Sequence, residues 1–316
     1  MASSLKQTVT IISPVYNDWE SYTILISQIK NEKSLENLSI QFLVVNDCSN
    51  NPAPLDDLKK NNHPITILDL NKNYGHQVAI TIGCVYAKVN LRQDILIIMD
   101  SDGEDQPKDI VNLINKLKVY DVCLAKRTKR NESYIFKFCY RIYKLLFYSL
   151  TGKAISFGNF SALTNKALNK VVNESDTMIN YASVLLKLNL SLHLVNTVKG
   201  KRYQGKSKMN FNNLVLHGLG AIAVHIENVA VRFLLSCTFI AFLAIFGFLM
   251  ILIIKFLTDY AIPGWATSLS TNLFIIITQA VLICLFLTFI VIIRKSQSKI
   301  SPVEDYHKFI EKCQTI

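Results

Sequence analysis

The sequence predicts an α/β domain, built on a mostly parallel sheet with helices on both faces, followed by two C-terminal transmembrane helices. The first 120 residues alternate short, β-branched apolar runs with helix-like stretches. The apolar runs lack a period of two, which is typical of parallel strands that are buried on both faces. Two later segments are long, apolar and free of charge, which predicts membrane spans.

Four strands are predicted, at 9–15, 40–46, 65–70 and 94–100. Helices are predicted after the first strand, from Trp19 to Lys30, and after the third, from about Gly75 to Lys88. Right-handed crossovers bring the carboxyl ends of parallel strands to one edge of the sheet, where ligands bind in such folds. The polar residues expected at this edge are Tyr16, Asn17, Asp18, Asp47, Asp100, Asp102 and Glu104.

The middle of the chain has a less regular pattern. Residues 134–151 predict an aromatic and basic helix, and residues 184–195 change from a helical to a strand pattern. Residues 209–231 mix apolar side chains with histidines and Glu227. We interpret this last stretch as an amphipathic juxtamembrane segment at the membrane interface.

Two segments are long enough to cross a bilayer. Phe233–Ile254 holds 22 consecutive uncharged, mostly apolar residues, and Leu273–Ile293 holds 21. A hydrocarbon core of about 30 Å needs roughly 20 such residues as a helix. A buried core hairpin is the alternative, but core helices are seldom uncharged over this length, so two spans are predicted.

The placement of basic residues predicts the orientation of these spans. Arg232 precedes the first span and Arg294 follows the second, whereas the connecting loop 255–272 holds one Lys and one Asp. The positive-inside rule therefore puts both long ends in the cytoplasm. The expected organisation is a cytosolic catalytic domain at 1–208, a juxtamembrane segment at 209–231, and a two-helix anchor with a short cytosolic tail at 232–316.

Charge and cysteine usage narrow the function class. The net charge is +11, and two basic clusters lie at 126–153 and 199–208. Such clusters suit nucleic acid, anionic lipid or a phosphate-rich ligand, and the nearby spans favour the last two. The seven cysteines contain no C-x-x-C pair, which suits a reducing compartment and argues against a zinc site.

An acidic cluster follows the fourth predicted strand. Asp100, Asp102, Glu104 and Asp105 lie within six residues, and they repel one another unless positive charge sits among them. Mg²⁺ and Mn²⁺ take oxygen ligands of this kind and share them with substrate phosphates. The alternative is a solvated acidic loop that caps the helix near Pro107.

Two further motifs end or follow the other strands. Tyr16 and Asp47 stand at the ends of the first and second strands, where an aromatic ring and a carboxylate suit a nucleoside. The run Asn71–His76 opens a helix whose first N–H groups can face an anion. Each motif alone is more often a turn or a cap, but their ordered occurrence at one sheet edge favours a nucleotide site.

In these motifs the sequence resembles family 2 glycosyltransferases, which have the glycosyltransferase A-type fold. The matching runs are PVYND, VVNDCSNN, NKNYGHQVAITIG and IIMDSDGEDQP. The length and the two terminal spans look like the polyprenyl-phosphate glycosyltransferase branch, relatives of dolichyl-phosphate mannose synthase. The resemblance extends over roughly residues 8–293, and it implies a metal-dependent hexosyltransferase of cell envelope polysaccharide synthesis.

The resemblance also implies roles for individual residues. Donor binding is implied for Pro14, Tyr16, Asp18 and Asp47. Metal and diphosphate binding is implied for Asp100 and Asp102, with Glu104 at a position where relatives often have a metal-binding Gln. Arg127 and Arg141 match positions that hold the lipid phosphate. The run from Arg202 through Lys206 and Ser207 to Lys208 matches a segment that closes over phosphates.

The sequence departs from the family pattern around Gly158. Relatives commonly show D-x-G-D-F, whereas this chain has Ser156-Phe157-Gly158-Asn159-Phe160, so two acids near the sugar are absent. The Q-x-x-R-W motif of processive polysaccharide synthases is also missing. Transfer of a single sugar, rather than synthesis of a long chain, is therefore expected.

The predicted reaction is inverting transfer of one sugar from a nucleotide sugar, a UDP-sugar being favoured, to undecaprenyl phosphate at the inner membrane of a bacterium. Mg²⁺ or Mn²⁺ is the expected cofactor, with Asp102, Arg127 and Arg202 as catalytic residues. A lipid monophosphate needs no general base, since its second pKa lies near 6. A lipid-linked saccharide acceptor and a non-catalytic membrane-tethered binding protein are the alternatives. A homo-oligomer is plausible from the family likeness, and nucleic acid is not an expected partner.

Overall fold

The computed structural model describes residues 6–128, 134–205, 211–258, 264–296 and 301–316. The chain forms two compact units. The first comprises Met1–Tyr143, Ala154–Val224 and Lys299–Ile316, and the second comprises Lys144–Lys153 and His225–Ser298.

An eight-stranded mixed sheet forms the centre of the first unit. The strands are β1 (Gln7–Val15), β2 (Leu38–Asn46), β3 (Ile65–Leu70), β4 (Ile95–Ile98), β5 (Val122–Arg127), β6 (Ser161–Thr164), β7 (Leu192–Thr197) and β8 (Ile310–Thr315). Their order across the sheet is β7-β5-β6-β4-β1-β2-β3-β8. β4, β1, β2 and β3 run parallel, whereas β6 and β8 run antiparallel to their neighbours. The four strands predicted from the first 100 residues are therefore the parallel core.

Eleven α-helices connect and extend the strands within the described residues. They are α1 (Trp19–Lys30), α2 (Leu55–Leu58), α3 (His76–Asn90), α4 (Asp109–Lys116), α5 (Tyr134–Thr151), α6 (Asn165–Val172), α7 (Tyr181–Lys187), α8 (Phe211–Ala223), α9 (Ile226–Leu257), α10 (Trp265–Ser296) and α11 (Pro302–Asp305). The bounds of α1 and α5 are those predicted from the sequence. The expected change from helix to strand at 184–195 corresponds to α7 followed by β7.

Two apolar cores lie on opposite faces of the sheet. Alternate residues of β2 enter different cores, with Phe42 and Val44 in the first and Leu43 and Val45 in the second. Helices α1 and α4 contribute to the first core, and α3, α6 and α7 contribute to the second. Burial on both faces explains why these strands read as continuous apolar runs in the sequence.

Helix α3 lies very close to the sheet at Gly83. A Cβ atom at this position would lie 2.8 Å from Cγ2 of Ile12 and 3.0 Å from Cγ2 of Val45. Such distances are too short for a side-chain contact, so glycine permits this close packing. Helix α3 also carries His76 at its first position, and its seating on the sheet therefore fixes one part of the candidate site.

The C-terminal residues differ from the short cytosolic tail expected from the sequence. They form α11 and β8, and β8 pairs antiparallel with the edge strand β3. The paired residues are about 250 positions apart in the chain, since Thr66 lies opposite Thr315. A pairing over such a distance leaves no local sequence signal, and for that reason the pattern did not reveal it.

The second unit contains two helices that are long and apolar enough to cross a membrane, α9 and α10. Only 17% and 6% of their most apolar windows are buried, unlike the core helices of a soluble protein. Cys237, Ala244 and Ile251 are the buried residues along the middle of α9, and their spacing of seven describes a coiled-coil-like seam. At Gly247 a Cβ would lie 3.5 Å from Leu273 of α10, an ordinary van der Waals distance, so the two helices pack against each other at this position.

The predicted juxtamembrane segment 209–231 corresponds to two helices. Helix α8 ends at Ala223, and α9 begins at Ile226 after His225. Val215, Leu216 and Leu219 are exposed on α8, and the amphipathic role of this segment at a membrane interface stays a prediction. The boundaries that we predicted at residues 208 and 231 remain predictions.

Candidate active site

A cavity of about 1200 Å³ opens at the carboxyl ends of the parallel strands. It lies within the first unit, and its position is the sheet edge predicted from the sequence. Of the predicted site residues, Pro14, Tyr16, Asp18, Asp100, Asp102 and Arg202 line it. Residues that were not predicted to act in the site also line it, including Trp19, His76, Asn159 and His217.

The loops that follow β1 and β2 are tied together on one side of the cavity. The Asn17 N–H donates to Oγ of Ser49 at 2.8 Å, and the Asn50 N–H donates to Oδ1 of Asn17 at 2.7 Å. Trp19 Nε1 donates to the Asn51 carbonyl at 3.1 Å. These bonds hold Tyr16, whose side chain remains 41% exposed, beside the cavity. An exposed aromatic ring on a fixed loop is well suited to stack on a nucleobase.

Asp47 shapes the loop before α3 rather than lining the cavity. Its buried carboxylate accepts hydrogen bonds from the N–H groups of Tyr74 at 2.8 Å and Gly75 at 2.9 Å. Burial raises the pKa of Asp47, and these two hydrogen bonds partly offset that effect. Gly75 has φ +90°, which favours glycine. The structure thus gives Asp47 a positioning contact, and direct donor binding by this residue remains a prediction.

The acidic loop after β4 is folded back on itself. The Glu104 N–H donates to Oδ1 of Asp102 at 2.9 Å, and the Asp100 N–H donates to Oδ2 of Asp105 at 3.2 Å. Gly103 has φ +86°, which permits the tight turn between them. This fold directs Asp100 and Asp102 toward the cavity, whereas Glu104 is not among the residues that line it.

Glu104 is surrounded by three cations. Its carboxylate lies 2.9 Å from Arg127, 3.0 Å from Lys199 and 3.1 Å from Arg202. Burial raises the pKa of Glu104, but the three cations outweigh burial and hold it below its usual range. Within the ranges that the structure describes, no three His, Cys, Asp or Glu side chains form a metal-binding group. Glu104 therefore pairs with cations in this structure, and its role as a metal ligand beside Asp100 and Asp102 stays a prediction.

Asp100 and Asp102 retain the character of a cation site. Burial, followed by the charge of Asp100, raises the pKa of Asp102, although Arg202 lies 2.6 Å from it. Burial also acts to raise the pKa of Asp100, but the charges of His76, Arg127 and Arg202 outweigh burial and lower it. Oδ1 of Asp100 is buried and accepts no hydrogen bond. Carboxylate oxygens in this condition fit a divalent cation. Next to them, burial and the charge of Asp100 raise the pKa of Asp105 to about 7.

His76 is a site residue to which the sequence assigned no role. Its Nε2 lies 3.2 Å from Oδ1 of Asp100, outside hydrogen-bond geometry, and 2.9 Å from Nδ2 of Asn159. Burial lowers the pKa of His76, but the charges of Asp100, Asp102 and Asp105 outweigh burial and raise it overall. The signal that could have revealed it is its place at the start of α3, directly after a glycine.

His217 also lines the cavity, and its hydrogen bond to Asn180 determines which ring nitrogen carries the proton. Asn180 Oδ1 accepts from the Ser183 N–H at 2.8 Å, so its Nδ2 faces Nε2 of His217 at 3.3 Å. His217 Nε2 must then accept the bond, which assigns the proton to Nδ1. Burial, followed by the charge of His76, lowers the pKa of His217, so its neutral form is favoured.

Besides Asp47 and Glu104, four predicted residues lie away from the cavity or outside the described residues. Arg127 is not a lining residue, since it pairs with Glu104 and with Asp105 at 3.0 Å. Arg141 is exposed on α5 and does not line the cavity. Lys206 and Ser207 lie outside the described residues.

Comparison with known proteins identifies relatives. The sequence model of Glycosyl transferase family 2 matches residues 10–178. An uncharacterized glycosyltransferase of Bacillus subtilis, YkcC, is 25% identical over 273 residues, covering 82% of this chain and 80% of that protein. The undecaprenyl-phosphate 4-deoxy-4-formamido-L-arabinose transferase of Yersinia enterocolitica is 32% identical over 160 residues, which cover 49% of this chain and 47% of that protein.

Solved structures share the fold. Glucosyl-3-phosphoglycerate synthase from Mycobacterium tuberculosis, in complex with Mn²⁺ and UDP-glucose, superposes with a TM-score of 0.51 at 12% identity. The match covers 71% of this chain and 79% of that chain. This match confirms the predicted α/β fold.

Proposed function

The chain belongs to glycosyl transferase family 2, and from this premise we propose that it transfers one sugar from a nucleotide sugar to polyprenyl phosphate with inversion. The observation that carries the proposal is the cavity at the sheet edge, where strand-end loops, the carboxylates of Asp100 and Asp102, and Arg202 meet. The relative from Yersinia enterocolitica is named for transfer to undecaprenyl phosphate, and two helices here are apolar enough to span a membrane. Undecaprenyl phosphate is accordingly the proposed acceptor.

The donor occupies the side of the cavity formed by the first two strand ends. Tyr16 stacks on the base, and Pro14 and Asp18 border the nucleoside. The carboxylate of Asp47 accepts hydrogen bonds from the N–H groups of Tyr74 and Gly75 and so positions the loop before α3. A UDP-sugar is the favoured donor, in keeping with the UDP-glucose bound by the structurally similar synthase from Mycobacterium tuberculosis.

Asp100 and Asp102 are the residues that would hold Mg²⁺ or Mn²⁺. When bound, the metal supplies charge neutralisation for the diphosphate that leaves the sugar. Arg202 pairs with Asp102, and its planar fork of donors would suit the phosphates beside a metal held there.

The acceptor phosphate is held by the basic residues near the acidic loop. Arg202 and Lys199 are the cations already gathered there, and Lys206, Ser207 and Arg141 are proposed to extend this anion site. Arg127 supports it through Glu104 and Asp105. Two anions held side by side gain from proximity and from the electrostatic field of the site.

The nucleophile in this reaction is an oxygen of the lipid monophosphate, which attacks the anomeric carbon while the nucleoside diphosphate leaves. No protein base is needed, and the geometry supports this reading. Asn180 occupies the Nε2 lone pair of His217, and the Nδ2 group of Asn159 lies 2.9 Å from Nε2 of His76, so a side-chain amide engages each imidazole. An acceptor hydroxyl on a lipid-linked saccharide would need a base, so the phosphate acceptor is preferred.

Residues 226–296 anchor the protein in the inner membrane through α9 and α10. The catalytic domain and the C-terminus are proposed to face the cytoplasm, where nucleotide sugars are made. The distribution of Arg232 and Arg294 around the loop 255–272 supports this orientation. A homo-oligomer would allow two-helix anchors to form a larger bundle.

The test uses the purified full chain with Mn²⁺, undecaprenyl phosphate and a panel of radiolabelled UDP- and GDP-sugars. The expected product is an acid-labile lipid-linked monosaccharide that disappears when the metal is chelated. If a product forms only when a lipid-linked saccharide is added, that saccharide is the acceptor instead of undecaprenyl phosphate. If no product forms and calorimetry detects no metal-dependent nucleotide binding, the proposal is refuted. The remaining alternative would then be a non-catalytic binding protein tethered to the membrane.

A further inference from the structure

We propose that the C-terminal segment, residues 306–316, is an integral part of the donor site, and that Phe309 is a positioning residue for the loop Asn71–Gly75. The inference rests on the proposed function, since that loop is assigned to the donor. It adds a contribution from the part of the chain that follows the second apolar helix.

The segment is attached along the whole edge of the sheet. β8 pairs with β3, and Ile65 and Ile316 exchange two backbone hydrogen bonds of 3.1 and 2.9 Å. This strand pairing alone would be enough to cover the open edge of β3, so contacts beyond it need another explanation. The ladder changes register at Asp69 and Leu70, and the segment continues past the end of β3 onto the loop.

The contacts beyond the strand converge on Asn71. Its N–H donates to the Phe309 carbonyl at 3.0 Å, and its Nδ2 donates to the Lys308 carbonyl at 2.8 Å. Oδ1 of Asn71 accepts a hydrogen bond from the Tyr74 hydroxyl at 2.8 Å. One side chain thus links the C-terminal segment to the residue that precedes the glycine of the loop.

Phe309 supports the same loop through ring packing. The rings of Phe309 and Tyr74 lie 4.8 Å apart between centroids, tilted by 57°. The backbone N–H of Tyr74 is one of the two donors to Asp47, and His76, which faces Asp100, begins α3 two residues later. Loss of the Phe309 ring therefore loosens the loop that orients both Asp47 and His76.

Tyr306 anchors the segment at the other end of α3. Its side chain is buried, and its hydroxyl accepts a hydrogen bond from Nδ2 of Asn90 at 3.2 Å. Helix α3 is consequently held at its last residue by Tyr306 and before its first turn by Phe309 and Asn71. An arrangement that only covered a strand edge would not need either contact.

The test compares Phe309→Ala with Glu311→Ala in the full chain. Glu311 lies on β8 and is exposed, so its replacement serves as a matched control in the same segment. Hydrogen exchange at the Tyr74 and Gly75 amides should accelerate by about 10-fold or more in Phe309→Ala and stay unchanged in the control. Unchanged exchange in Phe309→Ala overturns the inference, whether or not nucleotide binds.

Calorimetry with UDP and Mn²⁺ supplies the functional readout. Phe309→Ala should weaken nucleotide binding about 3- to 10-fold, the size expected for loss of one ring contact, and should raise the donor KM with little change in kcat. Phe309→Tyr should restore both values, and Asn71→Ala combined with Phe309→Ala should be less than additive. Loss of kcat with an unchanged donor KM would contradict a positioning role, whereas failure of the wild type to bind nucleotide would refute the proposed function alone.

Discussion

Replacing Glu104 with glutamine removes the carboxylate charge that Arg127, Lys199 and Arg202 share, at nearly constant side-chain volume. The sequence assigns Glu104 to a metal, and the structure pairs it with these cations. The two assignments predict different results. Loss of a metal ligand weakens Mn²⁺ binding, whereas loss of an ion-pair acceptor mainly destabilises the fold.

The size of the stability loss follows from the geometry. The Glu104 side chain is 14% exposed, and the three cations are 28–34% exposed. At an effective dielectric of about 20, an ion pair at 3 Å gains roughly 5 kcal/mol before desolvation, and breaking a buried pair costs about 3–5 kcal/mol. Arg127 and Arg202 keep other carboxylate partners, so the expected loss in unfolding free energy is about 2–3 kcal/mol.

The pH dependence of this loss is a second signature. The cations hold the pKa of Glu104 below its usual range despite burial, so its charge stabilises the folded state fully above the unfolded pKa of about 4.3. As pH falls through the lowered pKa, the wild-type carboxyl becomes neutral like glutamine. The difference between wild type and Glu104→Gln should therefore vanish at acidic pH.

The assay is denaturant unfolding followed by Trp19 fluorescence in a Trp265→Phe background, since the chain has two tryptophans. Mn²⁺ binding is measured in parallel by calorimetry with UDP. Expected results are the stability loss at pH 7 and less than a 3-fold change in Mn²⁺ affinity. A drop of 10-fold or more in Mn²⁺ affinity without a change in stability would refute the ion-pair assignment.

Three further perturbations test separate parts of the molecule. Asp102→Asn should reduce turnover by about 100-fold or more and weaken Mn²⁺ binding, because the diphosphate site loses a ligand charge; normal turnover would exclude its metal role. Arg202→Ala should raise the acceptor KM about 10-fold without weakening Mn²⁺ binding, since Arg202 contacts Asp102 at 2.6 Å and competes with the metal; equal loss of donor binding would contradict this. Asp121→Asn should lower the unfolding free energy by about 1–2 kcal/mol at pH 7, because hydrogen bonds from Ser191 and Lys166 lower the pKa of Asp121 to about 2. That loss should disappear in melts as pH falls below 4 toward 2, and a constant difference would refute it.

Local patterns in the sequence sufficed for the parallel core of the fold. The strand 65–70 and the helix from Trp19 to Lys30 occur with the predicted bounds, because each is encoded by its own apolar run or periodicity. β8 could not be found in this way. Its six residues, IEKCQT, are mostly polar, and its partner lies at the other end of the chain.

The candidate site shows the same division between local and distant information. Asp100 and Asp102 were placed correctly beside the cavity, since a strand end fixes both. The cationic partners of Glu104 come from two distant segments, and Arg202 is 98 residues away. Charge repulsion within the acidic loop suggested a metal, but the folded chain supplies much of the neutralising charge itself. A run of acids in the sequence therefore does not reveal which of the carboxylates pair with cations from distant segments.

The sequence departs from the family's D-x-G-D-F pattern around Gly158, and the contacts of Asn159 show one physical consequence of this change. Nδ2 of Asn159 lies 2.9 Å from Nε2 of His76, which also faces Asp100 at 3.2 Å. A carboxylate at position 159 would place a second negative charge on this imidazole and would compete with Asp100 for it. An amide there adds no charge, so the carboxylates that act on His76 remain those of Asp100, Asp102 and Asp105. The loss of the family's acid thus leaves the Asp100 environment intact, and its effect is expected on sugar recognition rather than on the cation site.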